Sequence, residues 1–273
     1  MFRRLFIFSF LVSVLVGCSD YSKIMKSSDY ELKYQKAKEY YVKKDYMKAL
    51  PLFEELLSVY RLDKKSEEIY YYYAKTNYGL KDYYMANYYL KSFARNYPES
   101  PNAQEALFLA ALCSVKNSPE YSLDQSETYK ALDEIQLFMD RYPESSRIDT
   151  CNLLVSELRK KLERKAYERC KLYYRTKNYN SAVVSFNAML KDFPDTKYRE
   201  EAMFVVVRSS YFYAMNSVPS KREERLAETL KFYNKFADSY PSSKNGREAE
   251  TYYKNAVKEL ERIKEQKELA KEN

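Results

Sequence analysis

Four stretches of the chain share one pattern. They are Phe93-Ala94-Arg95-Asn96-Tyr97-Pro98-Glu99-Ser100, Phe138-Met139-Asp140-Arg141-Tyr142-Pro143-Glu144-Ser145, Met189-Leu190-Lys191-Asp192-Phe193-Pro194-Asp195-Thr196 and Phe236-Ala237-Asp238-Ser239-Tyr240-Pro241-Ser242-Ser243. Each closes an apolar helical pattern with an aromatic residue and Pro. Pro ends the helix, because the residue before it avoids the α region. The Ser or Thr two residues on can cap the next helix. The prolines are spaced by 45, 51 and 47 residues, so the pattern is an internal repeat.

Working back from each Pro, the twelfth residue is small: Ala86, Ala131, Ala182 and Thr229. Ala49 stands in the same relation to Arg61, which replaces Pro in a first copy. One turn after each small residue comes a bulky one: Phe53, Leu90, Ile135, Phe186 or Tyr233. This resembles the tetratricopeptide repeat, in which a small residue on the second helix lets the two helices of a unit approach closely. The resemblance implies an all-α, tetratricopeptide-like superhelix of about five helix-pair units plus a C-terminal capping helix. Units longer than 34 residues require insertions, placed at Asn117 to Asp124 and Ser217 to Glu224. Pro51 falls inside a second helix, where a kink is expected.

Ile148, Cys151, Val155, Leu158, Leu162, Ala166, Cys170 and Tyr173 recur at helical spacing and predict one helix of about 27 residues, roughly 40 Å long. Arg247 to Glu268 reads as a charged capping helix with Ala249, Tyr252, Tyr253, Ala256, Val257 and Leu260 on one side. The expected organisation is a signal peptide at 1–17, a linker at 18–29, repeats 1–3 at 30–146, repeats 4–5 at 147–245 and a cap at 246–273. Asp124 followed by Glu127 predicts a capping box with Asp124 as N-cap.

The chain opens with basic Met1-Phe2-Arg3-Arg4, an apolar run of about 12 residues from Leu5, and Leu15-Val16-Gly17-Cys18. That run is too short to cross ~30 Å of hydrocarbon. The ending resembles the bacterial lipobox, which implies acylation of Cys18 and membrane attachment by lipid (a palmitate-type chain). Ser19, rather than Asp, favours passage to the outer membrane by the same resemblance. Loss of Arg3 and Arg4 leaves 45 basic and 39 acidic side chains, a balance of +6. That balance suits acidic partners or an anionic surface. Nucleic acid is excluded as a partner by the export signal.

The chain has no His or Trp, 3 Gly, 8 Pro, and 31 Tyr. Lack of His removes Ser-His-Asp and Cys-His catalysis, HExxH zinc helices and His-ligated haem. Scarce Gly argues against phosphate-binding loops. Adjacent pairs such as Glu54-Glu55 and Glu67-Glu68 diverge by ~100° on a helix and read as solvated faces. Cys113, Cys151 and Cys170 form neither a disulfide framework nor a zinc site. They read as buried thiols, with one disulfide permitted in an oxidising compartment. No enzyme activity, cofactor or metal is expected.

Three first helices share a triplet: Tyr34, Lys38, Tyr41; Tyr71, Lys75, Tyr78; and Tyr167, Lys171, Tyr174. Offsets of four and seven put each triplet on one helix face. By resemblance to the repeat family, this face lines the concave groove, with Ala37, Ala74 and Cys170 at the buried small position. Tyr offers contact area at low entropic cost, and Lys pairs with carboxylates. Tyr34, Lys38, Tyr41, Tyr71, Lys75 and Tyr78 are therefore the candidate peptide groove. Packing of the tyrosines between repeats and solvation of the lysines are the competing readings.

The lipobox, the repeats, the insertion before Leu123-Asp124-Gln125-Ser126, Arg141-Tyr142-Pro143-Glu144-Ser145 and Tyr173-Tyr174-Arg175 leading to Leu190-Lys191-Asp192-Phe193-Pro194-Asp195-Thr196 together resemble the BamD family of outer-membrane assembly lipoproteins. The resemblance implies a non-catalytic scaffold at the periplasmic face of the outer membrane. It implies two partners: the POTRA domains of a BamA-like barrel protein, and unfolded outer-membrane proteins. Tyr174, Arg175, Lys197 and Arg199 are the candidate BamA contacts. The long helix would fix the angle between the two halves. A pilotin for secretin assembly, or a SusD-like glycan-binding lipoprotein, are the alternatives. SusD-like chains are about twice this length, with Trp-rich loops.

Overall fold

The computed structural model describes residues 20–61 and 63–272, with side chains through 269. The signal-peptide stretch and the lipidation position Cys18 lie outside the described residues. The described chain is all-α. Residues 20–26 form α1. Then follow α2 (Tyr30–Val42), α3 (Tyr46–Val59), α4 (Ser66–Gly79), α5 (Tyr83–Asn96), α6 (Ala103–Asn117) and α7 (Ser126–Arg141). The remaining elements are α8 (Ile148–Arg175), α9 (Tyr179–Asp192), α10 (Arg199–Met215), α11 (Pro219–Ser239) and α12 (Gly246–Glu272). The chain forms two compact units, one ending at Leu158 and the other starting at Arg159, so the division falls within α8.

Within each unit the repeat follows from steric registration. Ala49, Ala86, Ala131, Ala182 and Thr229 are fully buried, as are Ala37, Ala74 and Cys170 on the first helices. Phe53, Leu90, Ile135 and Phe186, one turn on, are also fully buried, whereas Tyr233 is half-buried. Seven residues after the small position the chain is buried in every copy: Leu56, Phe93, Phe138, Met189 and Phe236. Small residue, bulky residue one turn on and bulky residue two turns on thus make one stripe facing the partner helix.

The turns between first and second helices repeat as closely. Lys44, Lys81 and Lys177 adopt φ of 60°, 63° and 58°, the left-handed conformation usually given to Gly. The Lys44 N–H donates to the Tyr41 carbonyl, and the Asp45 N–H to that of Tyr40. Lys81 and Asp82, and Lys177 and Asn178, repeat both bonds. Three helix C-termini therefore end in the same Schellman turn.

Several expectations are corrected. The stretch read as a linker contains α1, whose Ile24 is buried against repeat 1 while the Tyr21 hydroxyl donates to the Lys48 carbonyl at 3.2 Å. The insertion at Ser217 to Glu224 is not a loop beyond its first residues, because Pro219 starts α11 and the added residues lengthen that helix to 21. The N-cap of α7 is Gln125, not Asp124. The Asp124 carboxylate accepts from the Ser126 N–H instead, and the buried Gln125 amide donates to the carbonyls of Glu120 and Leu123. Pro51 lies inside α3, as the sequence places it.

Lys33 is 2% exposed. Its ammonium lies 2.6 Å from a Glu55 carboxylate oxygen on α3 and donates to the Met25 carbonyl at the end of α1. Glu55 is thus the counter-ion of a buried cation rather than part of a solvated face.

Candidate functional site

The three Tyr-Lys-Tyr triplets have one geometry. Tyr34, Tyr71 and Tyr167 are buried. The ammonium of Lys38 lies 5.2 Å from the Tyr34 ring centroid, that of Lys75 4.9 Å from Tyr71, and that of Lys171 5.0 Å from Tyr167. Each lysine is drawn over the electron-rich face of the tyrosine one turn earlier. The third tyrosine packs across the Schellman turn on the residue that opens the next helix. Ring centroids are 5.6 Å apart for Tyr41 and Tyr46, 5.8 Å for Tyr78 and Tyr83, and 6.3 Å for Tyr174 and Tyr179.

Each lysine also reaches the next first helix. Lys38 pairs with Glu68 at 2.8 Å, Lys75 with Glu105 at 2.9 Å and Lys171 with Glu201 at 3.8 Å. Arg208 continues the series with Glu248 at 3.4 Å. Every acid sits in the first turn of its helix, where the N-terminal dipole favours a negative charge. Leu112 takes the equivalent place in α6, thirty-seven residues after Lys75, so the series is interrupted there.

These contacts set the electrostatics. Burial pushes the Tyr34 hydroxyl up to about 12, and the neighbouring Glu68 adds to the shift. Tyr71 and Tyr167 are raised further for the same two reasons, with Glu105 and Glu201 as the acids. Burial would also raise Glu68 and Glu105. Hydrogen bonds from Lys38 and Tyr34, and from Lys75 and Tyr71, outweigh it and hold both carboxyls below their ordinary range.

The candidate groove residues therefore share a face, with structural duties already assigned. Tyr34 and Tyr71 are packed between helices, and Tyr41 and Tyr78 are half-buried. The Lys38 and Lys75 side chains remain 34% and 24% exposed. What the face presents is half-exposed ammonium groups, each already near a carboxylate. The acids that complete the arrangement were not singled out in the sequence. Their signal is a spacing of thirty residues from lysine to glutamate, legible only once the helices are known to be neighbours.

The other candidate set does not converge. Tyr174 is half-buried under the Arg208 guanidinium, 5.4 Å from its ring centroid, and Arg175 is exposed at the end of α8. Lys197 lies over Tyr198, and Arg199 donates to the Pro194 carbonyl at 3.0 Å. Tyr198 in turn stacks on Tyr167 at 3.9 Å. Tyr167 and Tyr174 are two turns apart on α8, about 10 Å along its axis. The four residues thus form two separate pairs.

Cys113, Cys151 and Cys170 are free and buried. Burial pushes the Cys113 thiol up to about 12 and that of Cys170 to about 11, and raises Cys151 as well. All three stay protonated at neutral pH, the unreactive form of a thiol.

Residues 26–226 match the model of the YfiO family, described as outer membrane lipoprotein. The chain belongs to this family. The outer membrane protein assembly factor BamD of Caulobacter vibrioides is 23% identical over 164 residues, covering 58% of this chain and 54% of that protein. The chain thus aligns with about half the length of that relative. The putative outer membrane protein assembly factor BamD of Aquifex aeolicus is 26% identical over 275 aligned positions, covering 95% of this chain and 88% of that protein. Among solved structures, the P58(IPK) TPR domain aligns with 93% of this chain and 68% of its own, at 13% identity and a TM-score of 0.38.

Proposed function

We propose that this family member is a non-catalytic scaffold for assembling β-barrel proteins into the outer membrane. It is held at the periplasmic face by acyl chains on Cys18. The observation that carries the reading is the alignment with the Aquifex aeolicus assembly factor along 95% of the chain. The partners are the POTRA domains of a BamA-like barrel protein and unfolded outer-membrane chains.

Client chains dock on the face bearing Tyr34, Lys38, Tyr41, Tyr71, Lys75 and Tyr78. Because Lys38 and Lys75 already face Glu68 and Glu105, docking of an acidic or C-terminal carboxylate there is an exchange of one carboxylate partner for another. Exchange keeps the affinity modest and the release fast, which suits a protein that hands its client on. Tyr174, Arg175, Lys197 and Arg199 contact the POTRA domains from two patches on the second unit.

The test is depletion of the protein in cells, followed by quantification of barrel proteins in the outer-membrane fraction. Loss of several unrelated barrels while lipoproteins persist is expected. Unchanged barrel levels would contradict the assignment.

A further inference from the structure

A pocket in the second unit is built from α9, α10 and α11. Leu190, Met203, Val206 and Phe232 give it an apolar lining, and Lys191, Arg199 and Lys235 supply three cations; Asn187 completes the wall. Its cavity of about 160 Å³ is close to the roughly 150 Å³ that accepts one benzene ring. No acidic side chain lines it. Arg199 is steadied by its bond to the Pro194 carbonyl, and Lys191 and Lys235 are exposed.

The equivalent position two repeats earlier, in the first compact unit, carries an internal carboxylate. There Lys91 of α5 pairs with Glu134 of α7 at 2.8 Å, and the buried Glu134 carboxylate also accepts from Asn87 and Ser114. Counted from the small positions Ala86, Ala131, Ala182 and Thr229, Lys91 corresponds to Asn187 and Glu134 to Phe232. The second unit has therefore replaced the internal carboxylate with an aromatic wall and moved its cations to the rim.

We infer that this pocket binds a protein segment that inserts one benzene-sized apolar side chain and sets flanking carboxylates against Lys191, Arg199 and Lys235. The choice of occupant rests on a volume close to that of one ring and on three cations in a lining that holds no acidic side chain. Apolar insertion supplies the anchor, and charge-assisted contacts fix the orientation. The inference stands on the pocket and does not depend on the assembly reading.

The test uses the full chain with methyl-labelled methionine, whose Met203 methyl reports from the pocket lining. The probe is the capped peptide Asp-Asp-Phe-Asp-Asp, compared with its Ser-centred and Asn-flanked versions. Saturable movement of the Met203 signal with the first peptide alone is expected. Lys191→Gln with Lys235→Gln should weaken it by about tenfold or more, the scale of a lost charged contact. Phe232→Glu, which restores an internal carboxylate, should abolish it, with helix content checked by circular dichroism. Equal binding of the Phe and Ser peptides, a still Met203 signal, or no effect of the lysine pair would overturn the inference.

Discussion

Lys75 and Glu105 stand thirty residues apart in sequence and 2.9 Å apart in space, tying the middle of α4 to the first turn of α6. Lys38 and Glu68 do the same between α2 and α4. The lysines that mark the candidate client face are therefore also ties between successive repeats. In the proposed function, structure and binding draw on the same charges.

The tie has a measurable strength. Both partners are partly exposed, so a double-mutant cycle on Lys75→Ala and Glu105→Ala should give a coupling of about 0.2–1 kcal/mol in chemical denaturation. The reversed pair, Lys75→Glu with Glu105→Lys, should recover less than half of it, because Glu105 occupies a helix N-terminus that disfavours a cation. Zero coupling would mean that this pair does not help hold α4 to α6.

The same carboxylates set the acid limb of stability. Glu68 and Glu105 have folded pKa values below the unfolded value of about 4.3. Their contribution is complete above that value and is lost as pH falls through the lower folded values. Glu68→Gln with Glu105→Gln should flatten the fall in stability below pH ~4.3. At the alkaline end Tyr34 and Tyr41 titrate near 12, chiefly from burial. Their contribution is complete below the ordinary tyrosine value of about 10 and is lost as pH rises through 12. Ultraviolet difference absorbance of tyrosinate should show a delayed class of tyrosines that merges with the rest on unfolding.

Two substitutions at one turn should act in opposite directions. Lys81 holds a left-handed φ of 63°, so Lys81→Gly should stabilise by about 1 kcal/mol. Gly79, two residues earlier, has no room to grow, since an added Cβ would lie 2.5 Å from the Tyr46 ring. Gly79→Ala should therefore lower the melting temperature despite alanine's better helix propensity. A gain from Gly79→Ala would show that the Tyr46 ring moves aside freely.

The Lys33–Glu55 pair should respond asymmetrically. Glu55→Gln keeps an acceptor for the buried ammonium but removes its counter-charge, whereas Lys33→Met removes the buried charge itself. Because Glu55 is a third exposed, the expected cost of Glu55→Gln is roughly 1–3 kcal/mol, below that of a fully buried pair. Lys33→Met should cost less. The reverse order in thermal denaturation would contradict this account.

The repeat was legible because sterics write it into residue size. Counting back from Pro98, Pro143, Pro194 and Pro241 lands on a fully buried residue each time. The long helix was legible from periodicity, and α8 spans 28 residues. Charges were less legible. Nothing local distinguishes Lys33, buried, from Lys36, on the surface of the same helix. Glu55 and Glu68 looked like solvated acids because their partners lie 22 and 30 residues away. The N-terminal α1 was missed because a seven-residue helix held by Ile24 and Tyr21 has too few turns to show a period. Asp124 has the side chain of an N-cap, but the buried Gln125 amide takes up the loop carbonyls and shifts the helix start.

Client exchange makes a prediction that packing alone does not. Glu105→Gln frees Lys75 and should tighten binding of an acidic, aromatic peptide, while Lys75→Glu should weaken it at unchanged helix content. Fluorescence anisotropy of a labelled peptide reads both. Identical affinities for the two variants would remove Lys75 from the client face.

The central claim is that the chain works within the machinery that assembles outer-membrane barrels. The most direct measurement is a crosslinked pull-down of this protein from outer membranes, with mass spectrometry of what accompanies it. Recovery of a POTRA-containing barrel protein, with crosslinks on the second unit near Arg175 or Lys197, is the predicted result. Recovery of a secretin or a glycan transporter, without such a barrel protein, would contradict the account.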